Sequence, residues 1–131
     1  MREILFKAKR LDNGEWVEGL ITIMWGQYHI INPNDENTAY PIDTDTICQY
    51  TGLTDKNGKK IFENDIAEWK FENDASDYYK CVWLEDECAF AFKNGNDYTN
   101  PVDCYDDYSN AFCMEVIGNI FDNHDLLKEG D

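Results

Sequence analysis

A chain of 131 residues, 43% hydrophobic and 15% aromatic, has the size and composition of one folded domain or two small units, and not of a disordered tail. Its 27 acidic against 11 basic residues give a formal net charge of -16 and a pI near 4.2, a field that repels phosphate backbones and anionic membranes. Direct nucleic-acid binding would need a segregated basic patch, and the two short basic clusters, Lys7, Lys9 and Arg10, then Lys56, Lys59 and Lys60, both lie beside acidic residues.

In chain order, Ile4, Phe6 and Ala8 alternate with Leu5, Lys7 and Lys9, the period of a strand with one buried face. Asn13-Gly14 marks a hairpin turn, after which "EWVEGLITIMW" places Val17, Ile21 and Ile23 on one face, and Gly26 before "QYHII" predicts a second hairpin. The segment "NPNDENTAYPIDTDT" reads as a surface loop because of its two prolines and several Asx residues. Asp55-Lys56-Asn57-Gly58-Lys59 is a strong hairpin signal, and "IAEWKF" beyond it sets Ala67, Trp69 and Phe71 on one face. "YYKCVWL" and "CAFAF" flank the acidic turn Glu85-Asp86-Glu87 as an antiparallel pair. Residues 94–100 read as a loop, and 103–109 as the start of a short helical turn. "CMEVIGNI" is the last predicted strand and "DNHDLLKE" a short terminal helix capped by Asp122 or Asn123.

The expected fold is therefore mainly β, an N-terminal β-meander (residues 1–58) joined to a small C-terminal barrel (residues 59–131), or one continuous domain over 1–131. The Asn-Gly pairs at 13–14, 57–58 and 94–95 mark turns and not repeat units.

Residues that could carry chemistry are few. His29 and His124 are the two histidines, and neither has a Ser or Cys partner in a nucleophile pattern. Cys48, Cys81, Cys88, Cys104 and Cys113 make an odd count with no CxxC pair, which argues against a disulfide framework and a structural zinc site and suits a reducing cytoplasm. A tight turn at Glu85-Asp86 would set Cys88 opposite Trp83, so Cys81 and Cys88 are not expected to pair; all five are read as buried structural thiols. Asp97, Asp103, Asp106 and Asp107 could gather round a divalent cation, yet the alternating Asp/Asn pattern with a Gly at a sharp turn is missing, which favours a solvated acidic loop. No phosphate loop, nucleophile elbow or HExxH pair occurs. No catalytic, cofactor-binding or metal-binding residue is assigned. With no signal peptide or membrane span in the sequence, a cytoplasmic protein is expected.

Four tryptophans, Trp16, Trp25, Trp69 and Trp83, with Tyr28, Tyr40, Tyr50, Tyr78 and Tyr79, give more aromatic area than a small core easily hides, and any remainder on the surface would form an interface. Unpaired sheet edges give a second reason to associate.

Three segments, "MREILFKA", "QYTGLTDKNGKKIFENDI" and "VIGNIFDN" followed by "LL", occur in that order and bracket almost the whole chain. Together they resemble the YopX-like proteins of bacteriophages and prophages, with Asn64 standing where many relatives carry Gly. The resemblance implies a mostly β protein whose C-terminal part is an SH3-like barrel, a homo-oligomer, phage or prophage origin and a bacterial host cell. It implies no activity and carries over no catalytic residue. Within the long motif, Gly52 and Asn57-Gly58 are read as turn residues, Tyr50, Ile61 and Phe62 as core, and Asp65 as the lead-in to a strand. Three functions follow: a non-enzymatic module that binds a host or phage protein and assembles with itself; an acidic DNA mimic that inhibits a host nucleic-acid or defence enzyme; and, third, a metal-dependent enzyme acting through the 97–107 aspartates.

Overall fold

The strand alternation read from the first residues sets a β architecture throughout. The computed structural model describes residues 3–105 and 112–127, and these form eleven strands with three short 3-10 turns. By its internal contacts the chain divides between Gly52 and Leu53 into two units.

The first unit holds β1 (Phe6–Lys9), β2 (Trp16–Met24), β3 (Gln27–Asn32), β4 (Asp35–Pro41) and the start of β5 (Cys48–Thr54). Their order is β4-β3-β2-β1-β5, and β6 (Lys60–Phe62) follows in the same sheet order. Both predicted hairpins form: Ala8 pairs with Val17 across the Asn13-Gly14 turn, and Ile23 with Tyr28 across the Trp25-Gly26 turn. The segment read as a loop contributes β4, because Ala39 and Tyr40 pair by backbone with Ile31 and Ile30. Its sequence, DENTAYP, lacks the apolar alternation that would have announced a strand. Beyond it Asp43 caps the turn Thr44–Thr46 by accepting from the Asp45 amide. The core is small, Ala8, Ile30 and Ile42 with Val17, Ile21 and Ile47 against them. Each fully buried isoleucine stabilises by about 2 kcal/mol.

The second unit holds β7 (Asp65–Lys70), β8 (Ser76–Leu84), β9 (Ala89–Asn94), β10 (Asp97–Thr99) and β11 (Met114–Asn119) in the order β10-β9-β8-β7-β11. The expected SH3-like barrel is not found: β10 and β11 are the two edges of an open sheet, and no ladder among the described residues closes it. Residues 94–100, read as a loop, contain β10, which pairs with β9 through Asn94 and Asp97. The β8–β9 turn is two residues longer than expected. Trp83 lies opposite Phe90, and Cys88 sits in the turn with a positive φ of 52°. The inner face buries Ala67, Cys81, Phe92 and Met114, with Trp69 and Tyr79 half-buried against them; Phe71, expected beside Trp69, stacks on it at 6.2 Å but stays largely exposed.

The terminal helix expected from "DNHDLLKE" is a single 3-10 turn, His124–Leu126, with residues 128–131 outside the description. Asn123 occupies the N-cap position but makes no side-chain cap bond. Its Oδ1 accepts instead from the Asn119 amide at 3.2 Å. The helical turn expected over 103–109 likewise reduces to Pro101–Cys104, and residues 106–109 lie outside the described residues.

The edge of β11 is covered by a turn instead of by a strand. Asp55, 5% exposed, accepts from the Asn57 and Lys59 amides through Oδ1, each at 2.9 Å, and from the Val116 amide through Oδ2 at 2.9 Å. The Lys56 amide adds a bond to the Met114 carbonyl at 3.1 Å. Two of the three resembling segments are thus joined, "LTDKNGKK" to "VIGNIFDN". Asn64 makes a second junction: its amide donates to the Cys81 carbonyl and its carbonyl accepts from the Ile120 amide. Asn64 has φ +72°, a left-handed conformation that Gly and Asn tolerate, which accounts for either residue at this position.

Two outcomes are expected in urea unfolding. Asp55→Ala strands the buried Val116 amide and frees the turn, and destabilises by about 3 kcal/mol. Asn64→Gly leaves stability within about 0.5 kcal/mol, whereas Asn64→Ala lowers it by about 1 kcal/mol, because the backbone there is left-handed.

Candidate interaction surface

The β2–β3 hairpin carries the most exposed large apolar side chain among the described residues. Its two-residue turn has φ +50° at Trp25 and +77° at Gly26, positive at both central positions as a type I′ turn requires. Asn or Asp usually stands before the Gly of such a turn. A bulky side chain in the left-handed region costs about 1–2 kcal/mol, and here it gains no burial in return, since Trp25 is 94% exposed. Ile23 and Tyr28, directly opposite each other beside the tip, are 57% and 39% exposed. They lie on the face that carries Ile21 and Ile30, so the buried stripe of the first unit runs out along the hairpin into solvent.

Charge marks the same place. Residues 19–34 contain no Asp, Glu, Lys or Arg in a chain that is 29% charged. This gap was readable in the sequence and is the signal that strand alternation alone overlooks. Glycine at residue 19 permits the close approach of β3, since a Cβ there would stand 2.1 Å from the Ile31 carbonyl oxygen.

The two units differ in charge. Residues 1–52 hold eight acidic and four basic residues, net -4, and residues 53–131 hold nineteen and seven, net -12. In the second unit a cleft of about 370 Å³ is lined by Trp83, Leu84, Glu85, Asp86, Glu87 and Tyr98. Its acidic rim disfavours phosphate-bearing ligands.

The residues singled out for chemistry are dispersed or engaged. His29 places Nδ1 2.9 Å from the Gln27 carbonyl oxygen in the first unit, and His124 lies in the second unit's last turn. Asp97 stands on β10 and Asp103 in the Pro101–Cys104 turn, both exposed, while Asp106 and Asp107 lie outside the described residues. Among the described residues no three His, Cys, Asp or Glu side chains are grouped to hold a metal ion. Lys7 and Lys9 lie over the Trp16 ring at 4.9 and 5.5 Å, and Arg10 lies over Tyr40 at 4.2 Å while bonding Asp12. That bond raises the Arg10 guanidinium and holds the Asp12 carboxyl below the usual range. Lys56 reaches Glu115 at 4.0 Å, an exposed pair of little energetic weight.

The reading of all five cysteines as buried needs correction. Cys48, Cys81 and Cys104 are buried, Cys113 is half-buried, and Cys88 is exposed because it sits in the β8–β9 turn. Burial, with Cys113 and Asp103 nearby, pushes the Cys104 thiol up to about 12. Burial raises Tyr79 too, helped by Asp77. Both groups are held neutral in the folded chain, so the stability they lend is complete below their ordinary values and declines as pH climbs toward the folded ones. Thermal unfolding followed from about pH 8 to 11 is expected to show falling stability above about pH 9, with a shallower fall in Cys104→Ala. In the native protein Cys88 is expected to react first with a thiol reagent, and Cys48, Cys81 and Cys104 only on unfolding.

No helix among the described residues is long and apolar enough to cross a membrane. The crystal structure of protein EF1440 from Enterococcus faecalis is similar to this chain, with a TM-score of 0.60 and 23% identity over 98% of this chain and 100% of that one, a likeness of fold. No curated protein matches the sequence. The family model described as YopX protein matches residues 9–128, which takes in the hairpin, the Asp55 turn and the β11 junction. This chain belongs to the YopX family.

Proposed function

We propose that this chain is a non-enzymatic, protein-binding and self-assembling module of a phage or prophage, working in the cytoplasm of the bacterial host, with the β2–β3 hairpin tip as its contact surface. The observation that carries this reading is Trp25, 94% exposed at positive φ within a run, residues 19–34, free of charged residues. A strained, solvent-facing tryptophan stabilises nothing within its own chain, whereas buried in a partner it is the residue type that dominates binding energy. The charge points the same way. Copies of a protein with net charge -16 repel one another, and a neutral apolar hairpin is where that repulsion is least. The absence of catalysis in this proposal is supported by the family motif itself, whose carboxylates Asp55 and Asp65 accept from backbone amides.

A second reading is favoured by the charge partition. The net -12 of residues 53–131 suits an acidic mimic of DNA that occupies a host nucleic-acid or defence enzyme. The two readings respond oppositely to salt: hydrophobic association through the hairpin persists or strengthens, and charge mimicry weakens steeply.

The test is the mass of the purified protein in solution with and without the anchor. Wild type is expected well above the 15.3 kDa of one chain, and Trp25→Gly at one chain's mass with undiminished urea stability, since glycine relieves the turn. A wild type that stays monomeric, or a Trp25→Gly variant that assembles as before, would remove the hairpin from the reading.

A further inference from the structure

The cleft of about 370 Å³ in the second unit joins two kinds of surface, apolar on the strands and anionic on the β8–β9 turn. Leu84 pairs with Ala89 and Tyr98 with Lys93, positions an even number of residues apart on β9, so the Leu84 and Tyr98 side chains stand on the same face of the sheet. Tyr98 is 52% exposed on the β10 edge, and among the described residues no other ring packs against it. Trp83, which also lines the cleft, meets Phe90 edge-on at 5.0 Å and keeps 43% of its surface in solvent. Glu85, Asp86 and Glu87 follow one another in the turn, all exposed, and among the described residues none of the three carboxylates is in an ion pair. Backbone shapes that turn without them: the Glu87 amide donates to the Leu84 carbonyl at 3.2 Å and the Cys88 amide to the Glu85 carbonyl at 3.3 Å. Lys93, opposite Tyr98, is not among the residues lining the cleft.

We propose, resting on the acidic-mimic reading, that this cleft is a docking site for an arginine side chain on the basic surface of a partner protein. Charge complementarity sets the sign of the occupant, because three unpaired carboxylates at the rim attract a cation and repel phosphate. The exposed aromatic and aliphatic wall sets which cation. A lysine ammonium is a compact, strongly hydrated charge, and an apolar wall strips its water without replacing it. A guanidinium is planar and weakly hydrated; it stacks on an aromatic face such as that of Tyr98 and turns its paired N–H donors toward carboxylates such as those of Glu85, Asp86 and Glu87. Arginine-bearing surfaces are what nucleic-acid enzymes present to phosphates and bases, so carboxylates here take the place of phosphates and Tyr98 that of a stacked base.

The test titrates the full chain by calorimetry with hexa-arginine and, separately, with hexalysine, at about 0.15 M salt so that the distant field is screened. Hexa-arginine is expected to bind about threefold tighter than hexalysine, and Tyr98→Leu to remove that preference, since leucine keeps an apolar wall and lacks the ring face. Glu85→Gln, Asp86→Asn and Glu87→Gln together are expected to weaken hexa-arginine binding about tenfold. Removing as many charges around the β7–β8 turn, at the other end of β8, by Glu68→Gln, Glu72→Gln and Asp74→Asn, is expected to leave it within about twofold. All three variants are expected to keep the wild-type urea midpoint, which separates lost binding from lost folding. Equal weakening by the two triple variants would overturn the cleft as the site and leave attraction by the whole acidic unit, and with it the mimic reading, standing. Equal binding of the two peptides by wild type, or an arginine preference that survives Tyr98→Leu, would also overturn the proposal.

Discussion

One carboxylate holds the second unit together at the point where its sheet would otherwise end. Asp55 accepts three backbone amides, two from its own turn and one from Val116 on β11, and so ties a local hairpin to a strand 61 residues away in sequence. A sheet edge exposes unpaired backbone, and covering it with a turn keeps it from pairing with another chain. A charged acceptor suits the task because bonds to an ionised oxygen are about twice as strong as neutral ones. Around this junction the other polar residues follow. Asn119 accepts from the Phe121 and Asp122 amides through Oδ1, and Asn123 accepts from Asn119. Glycine at residue 118 leaves room for this Asn123 side chain, since a Cβ there would stand 2.2 Å from its Oδ1.

Within the long motif the carboxylates of Asp55 and Asp65 are both engaged with backbone amides. The proposed association uses an element that this network does not constrain. The β2–β3 hairpin extends the stripe of a core of a few aliphatic residues, carries no formal charge over residues 19–34 and ends in a tryptophan that its own fold leaves uncovered. Strain, exposure and neutrality coincide there, and no one of them would suffice: exposed apolar side chains are common singly, and charge gaps occur in many strands.

Much of the fold was legible because strands announce themselves by period and turns by Gly and Asn. Both N-terminal hairpins, β7, the β8–β9 pair and β11 were read from those signals. The misses share a cause. β4 and β10 are edge strands whose partners, and not their own sequences, hold them extended, so DENTAYP and DYT carry no alternation. The barrel expectation failed because closure depends on where edges fall in space, and here Asp55 and its turn occupy the β11 edge. The terminal helix failed because Asn123, assigned as its cap, is drawn back to the Asn119 amide.

The sequence alone determined the class of fold, the turns, the excess of negative charge and the family segments, since each is set by residue type and local spacing. It also held, unread, the charge gap over residues 19–34. Only the tertiary structure decided which aromatics are left outside, placing Trp25 in solvent and Phe92 in the core. Only the structure set Asp55 against Val116. Those placements depend on non-local register, which backbone pairing fixes across long separations and which no local pattern encodes.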